Sequence, residues 1–183
     1  MTSKRCAWVE GKPEFYLDYH DYVWGKVCHD DRELFTWLCL EIFHTGLSWQ
    51  IILQKKTAFL AAFDHFDFEK VVAYDEEKIQ ALLANAGIVR HRKKIEATIH
   101  NAKCIQQLIE QYGSFDAYIW SFTQGQVQRR PLNQPVQSRN ELSDRLAKDL
   151  KQKGFKWIGT TTIYSYLQGI GVINDHDHDC DFQ

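Results

Sequence analysis

The amino-acid sequence predicts an all-α fold. Apolar residues recur at helical spacing in one stretch after another, most of those stretches open on Ser or Asp and several close on Gly, and strand signals are scarce. DDRELFTWLCLEIFHTG (Asp30 to Gly46) opens on acidic cap candidates and ends at a glycine. SWQIILQKKTAFLAAFDHF follows, with Ser48 as its N-cap. DFEKVVAYD and DEEKIQALLANAG read as two short helices, the second ending at Gly87. RHRKKIEATIHNAKCIQQLIEQYG is a long amphipathic helix, and SFDAYIWSFTQG starts from a Ser cap. QVQRRPLNQPVQS, with two of the three prolines, reads as an exposed loop. SRNELSDRLAKDLKQKG is a helix stopped at Gly154, FKWIG a short link, and TTTIYSYLQGIG the last helix. Short connections of this kind favour helix-on-helix packing.

The chain has 183 residues, enough for one domain with a sizeable core. A net charge of −2 excludes nucleic-acid binding through bulk charge, so any such contact requires a local basic patch. The N-terminal residues MTSKRCAWVEGKPEF lack a signal-peptide run, and no stretch approaches a membrane span. A cytoplasmic protein with no membrane partner is expected. Five scattered cysteines in a reducing compartment point to metal binding or burial rather than to disulfides. Six tryptophans supply either stacking surfaces or a Trp-rich core.

NDHDHDC (Asn174 to Cys180) raises a question about metals. His176 and Cys180 are spaced to reach one ion, and Cys6 and His20 near the other end would complete a closed Cys₂His₂ site, structural rather than catalytic. His178 is a competing ligand, and a mobile acidic tail is the alternative. In GFKWIGTTTIYSYLQGIGVIND (Gly154 to Asp175) a helix stops, a turn carries Gly159, and a helix starts at the threonines. Such a hairpin either points backbone N–H groups at a phosphate, helped by Lys151, Lys153 and Lys156, or is an ordinary αα-hairpin. IVRHRKK (Ile88 to Lys94) is either a DNA-facing helix start or the solvated side of a helix. Glu41 falls on an apolar part of its helix and is either buried for a purpose or reaching water.

Several motifs together resemble the 3-methyladenine DNA glycosylase I family of the helix-hairpin-helix DNA glycosylases. They are CAWV (Cys6 to Val9), YLDYHDYVWG (Tyr16 to Gly25), LE followed after four residues by GLSW (Leu40 to Trp49), AGIVRHRKKI (Ala86 to Ile95), GFKWIGTTTIYSYLQGIG, and VINDH followed after three residues by C (Val172 to Cys180). They run nearly end to end in the family's order. The resemblance implies a helix-hairpin-helix glycosylase fold in a single domain of residues 1–183. One structural zinc ion on Cys6, His20, His176 and Cys180 would join segments 1–29 and 172–183, around a helical core of 30–171 with its hairpin near 154–162. It implies a base pocket of Glu41 with Tyr16, Tyr19, Trp24, Trp49 and Trp8. It places Gly46, Leu47, His44, Lys153, Gly159 and Thr160 against double-stranded alkylated DNA. Hydrolytic release of 3-methyladenine by a monomer is the implied activity, leaving an abasic site with no lyase step. A non-catalytic helix-hairpin-helix DNA-binding protein is the alternative.

Two departures accompany the resemblance. Asn174 stands where many helix-hairpin-helix glycosylases carry a catalytic Asp, Asp175 is expected to face elsewhere, and Glu41 is expected to grip the base. His44-Thr45 stands where the family often has Gln-Ala.

Overall fold

The computed structural model describes residues 3–132 and 134–183. Helices follow in the order α1 (Glu14–Tyr22), α2 (Asp31–His44), α3 (Trp49–Ala62), α4 (Phe68–Val71), α5 (Glu76–Ala84), α6 (Arg92–Tyr112), α7 (Phe115–Ser121), α8 (Glu141–Gln152) and α9 (Thr160–Gly169). Short 3-10 turns occupy Ala7–Val9 and Asp64–Phe66. The helix starts are chemical as well as periodic. Asp30, Ser48, Asp75 and Ser114 each accept from a backbone N–H of the following first turn. Asn140 and Ser143 form a reciprocal capping box, so α8 starts two residues later than its Ser138 would suggest.

Helix α2 is the axis of the fold. Ten of its fourteen residues are buried, and it packs against α3, α6, α7 and α9. A helix that is apolar nearly all round can only be enclosed by others. The hairpin of α8 and α9 is held from α6. Buried Asn101 accepts from Lys156 N at 2.8 Å and donates to Lys156 O at 3.1 Å, while His100 Nε2 bonds Gly154 O at 2.9 Å. The turn's backbone is thereby fixed without a metal or disulfide.

Three local features add to the sequence reading. Helix α1 carries no clean apolar stripe, because His20 and Asp21 face inward beside Tyr16 and Tyr19. Its helicity follows from Pro13 at its start and from packing on α3. The proline loop is exposed, as expected, and it is also tied down. Gln128–Arg129 pairs in parallel with Ile173–Asn174, a two-residue bridge in an otherwise helical fold. Arg130 then locks the loop, donating to Asp175 O at 3.2 Å and Asp177 Oδ1 at 2.9 Å. Within IVRHRKK, Arg92 pairs with Glu76 and Glu96, but Lys94 is buried.

Among the described residues no helix is long and apolar enough to cross a membrane. The two ends of the chain lie together, with Asp181 N donating to Lys4 O at 2.9 Å and Lys4 N to Asp181 Oδ2 at 2.7 Å. Residues 25–28 run along the end of α9, through Gly25 N to Gln168 O and Cys28 N to Ile170 O. At this crossing Gly171 has φ +76°, and a Cβ there would lie 2.3 Å from the carbonyl of Lys26. Neither backbone can yield. Gly171→Ala is expected to cost at least about 3 kcal/mol, read as a fall of about 10 °C in Tm by thermal unfolding.

Candidate functional site

A cavity of about 320 Å³ opens between α1, α2, the start of α3, α9 and the proline loop. Its wall is Trp8, Tyr16, Tyr19, Trp24, Trp49, Glu41 and His44, joined by Val136, Ser165 and Gln168. All six residues expected to form a base pocket therefore line one space. The rings meet mostly edge to face: Trp8 on Trp24 at 4.8 Å, Trp8 on Tyr16 at 5.9 Å, Tyr19 on Trp49 at 5.4 Å. That leaves π faces for a flat guest.

Glu41 is the one carboxylate in this wall, and it is 4% exposed. Burial pushes its carboxyl above the ordinary value, opposed by a hydrogen bond from His44 Nδ1 to Oε2 at 3.1 Å. Burial and the Glu41 charge raise the Tyr16 and Tyr19 phenols, so neither competes as an anion. Apolar lining with a single fixed negative group is suited to a flat cation or to a strong hydrogen-bond donor.

Gln168 and Asp175 were not singled out by sequence reasoning as parts of this wall. Gln168 Nε2 donates to Asp175 Oδ2 at 2.7 Å, and Tyr164 donates to the same oxygen at 2.6 Å. Asp175 is thus turned away from the cavity, as expected, but it orients a side chain that lines it. A glutamine between Leu167 and Gly169, in the half of α9 that follows its threonines, was the available signal. Val136 sits in the proline loop and carried none.

Cys6, His20, His176 and Cys180 meet, all buried, with one ligand atom from each within 4.8 Å of the others. His20 Nδ1 bonds Asp21 Oδ1 at 2.7 Å, and His176 Nδ1 bonds Asn174 Oδ1 at 3.0 Å. Both rings therefore present Nε2 to the cluster, the orientation that supporting hydrogen bonds give to metal-bound imidazoles. Burial alone would raise Asp21, but bonds from Arg5 and His20 hold it below its ordinary value. Burial pushes the Cys6 thiol up to about 12 and pulls His176 down to about 4. A thiolate at Cys6 needs an adjacent cation, and neutral His176 keeps a lone pair to give one. The cluster could hold a metal ion, and its four donors leave no open position. His178 is exposed and outside it.

The remaining expected contacts lie elsewhere. Gly46, with φ +84°, and Leu47, 38% exposed, form the turn between α2 and α3. Lys94 holds that turn from beneath, its ammonium donating to Phe43 O at 3.0 Å and Thr45 O at 2.6 Å. Gly159 and Thr160 begin α9, with no side chain capping its N–H groups, and the Thr160 hydroxyl is engaged by Asp144 and Ser143. Lys153 lies over the rings of Tyr112 and Tyr118, near Asp149.

The family described as methyladenine glycosylase matches residues 8–183. The chain is similar to DNA-3-methyladenine glycosylase 1 of Escherichia coli, 41% identical over 97% of this chain and 95% of that one. It is also similar to the DNA-3-methyladenine glycosylase of Haemophilus influenzae, 40% identical over 98% and 97%. Among solved structures, 3-methyladenine DNA glycosylase I of Staphylococcus aureus, solved for its recognition of 3-methyladenine, superimposes with a TM-score of 0.91. It is 38% identical over 97% of this chain and 95% of that one.

The raised Glu41 carboxyl has a consequence for stability. A group whose folded-state pKa is raised costs the fold stability once pH exceeds that value, because only the folded form penalises the charge. Below the ordinary carboxylate pKa the cost is absent. Glu41→Gln is therefore expected to stabilise the free protein by about 1 kcal/mol at neutral pH, a rise of about 3 °C in Tm, and to lose that advantage near pH 4. Thermal unfolding at the two pH values checks it.

Proposed function

The chain belongs to the methyladenine glycosylase family, and we propose that its aromatic cavity with the buried Glu41 carboxylate is the site where 3-methyladenine is recognised and cut from DNA. The enzyme is a base-excision repair glycosylase that hydrolyses the N-glycosidic bond. The observation that carries the site is one carboxylate, almost wholly buried, in a wall of Trp and Tyr rings.

Adenine methylated at N3 in a nucleotide carries delocalised positive charge. Trp and Tyr faces attract it through their quadrupoles, and Glu41 gives it a charge-assisted hydrogen bond. Unmodified adenine is neutral and gains neither. The nucleotide must leave the duplex to reach the cavity. Its glycosidic bond is already weakened, because the base departs neutral, so no proton need be given to it. Water adds at C1′ and gives up a proton to solvent, the bond to the base breaks with its electron pair on the base, and an abasic site remains. Glu41 grips the base, Asn174 supports His176, and no lysine nucleophile is required.

The substrate we assign is double-stranded alkylated DNA. Leu47 on its exposed turn enters the gap left by the flipped nucleotide, with Gly46 and His44 beside it. The N–H groups at Gly159 and Thr160 meet a backbone phosphate, and Lys153 adds local positive charge. Cys6, His20, His176 and Cys180 would hold one structural zinc ion, which when bound would neutralise the buried thiolates and tie the chain ends together. The protein acts as a single-domain monomer in the cytoplasm. A DNA-binding protein without chemistry would have no use for a carboxylate inside an aromatic wall.

Incubation with methylated duplex DNA, followed by chromatography of the released bases, tests the reading. Free 3-methyladenine is the expected product, with 7-methylguanine left in place. Glu41→Gln should lower kcat/KM about a hundredfold, the worth of one charge-assisted hydrogen bond, with the fold intact. Cys180→Ser should lose bound zinc by elemental analysis and several degrees of Tm, whereas full retention of zinc would reassign the ligand.

A further inference from the structure

His44 lies one turn beyond Glu41 on α2, so both side chains face the cavity. Its Nδ1 stands 3.1 Å from Glu41 Oε2, the one hydrogen bond to that carboxylate among the described residues. Its ring meets the edge of Trp49 at 5.0 Å, which fixes the ring plane. The imidazole is 31% exposed and the carboxylate 5%, so His44 sits between the carboxylate and the cavity mouth. An ionised carboxylate only accepts, so toward ionised Glu41 the Nδ1 carries the proton and donates it. One oxygen of Glu41 is then committed to His44 and the other is left for the guest.

We infer that His44 is a positioning residue for excision: it keeps the buried Glu41 carboxylate ionised and aimed, and so sets the acidic limit of activity. The inference rests on the reading of the cavity as the site of a cationic base. A donor against a buried carboxylate stabilises its charged form and opposes the penalty of burial. Without that donor, Glu41 takes up a proton at higher pH, and a protonated carboxyl loses its attraction for a cation.

The surrounding groups leave His44 as the one side chain placed to do this. From α1, Tyr16 and Tyr19 face Glu41 with phenols raised by burial, and remain neutral. Trp49 of α3, Ser165 and Gln168 of α9 and Val136 of the loop carry no charge. Asp175 lies behind Gln168 and is bonded to it and to Tyr164. Lys94 of α6 lies under the same turn, and its ammonium is spent on the carbonyls of Phe43 and Thr45.

The test compares wild type, His44→Leu and His44→Gln in two measurements from about pH 5.5 to about pH 9. The first is kcat/KM for release of 3-methyladenine from methylated duplex DNA. The second is equilibrium binding of free 3-methyladenine, read from tryptophan fluorescence, which involves no DNA. Protonation of the base itself is common to all three proteins, so differences between them report the protein. His44→Leu should move the acidic limb to higher pH in both measurements, with about a tenfold loss near pH 6 that closes toward pH 9. His44→Gln, which keeps a donor, should keep the limb near its wild-type position. A loss equal at every pH, or a loss in excision with base binding unchanged, would make His44 a DNA contact only and overturn the inference. Should His44→Leu not fold, a limb for His44→Gln displaced as far as that of His44→Ala overturns it equally. Absence of 3-methyladenine release by wild type would remove the underlying reading, whereas release with an unmoved limb removes only the inference.

Discussion

An ionised carboxylate cannot be buried among aromatic rings without compensation. Glu41 is a carboxyl buried in this way, its pKa raised by that burial, and much of the fold answers to it. Helix α2 must be enclosed on most sides to carry it inward, which calls for α3, α6, α7 and α9 around it. Among the described residues the one donor to the carboxylate is His44, in the last turn of the same helix. That turn is in turn held by Lys94, a buried ammonium whose pKa burial pulls below the ordinary lysine value. On the function proposed above, a cationic guest would supply what the free protein lacks, and the cost of burying the carboxyl would become selectivity for an electron-poor base.

The second organising element is the junction of the two ends of the chain. Trp24 forms part of the cavity wall with the His20 ring stacked at 6.0 Å and the His176 ring against it at 4.6 Å. The Cys and His cluster therefore lies directly behind an aromatic of the cavity. Asn174 and Asp21 fix the imidazoles, and Arg130 pins the proline loop to the same terminal segment. Loss of the clip would loosen the wall as well as the ends.

Helix content was legible because caps and periodicity agreed, as at Asp30, Ser48 and Ser114. Helix α1 was not, because a helix that turns His20 and Asp21 inward has no amphipathic signature. The two-residue bridge at Gln128–Arg129 is too short to leave a pattern. The aromatic and carboxylate members of the cavity could be named because the motifs carry them. Gln168, Asp175 and Lys94 could not, since each acts through a specific partner outside its own turn: Gln168 through Asp175, Asp175 through Tyr164, Lys94 through Phe43 and Thr45. Pairwise geometry of that kind leaves no trace in one sequence. The basic run IVRHRKK shows the same limit, one cation turned to surface carboxylates and another to buried carbonyls.

The crossing of residues 25–28 over Gly171 also bears on the order of events during translation. Trp8, Tyr16 and Trp24 leave the ribosome early, whereas the residues that complete their surroundings, Gln168, Gly171 and His176, are among the later ones made. Until then the early rings have no opposite wall. A prematurely terminated chain holds aromatic surface but no closed cavity.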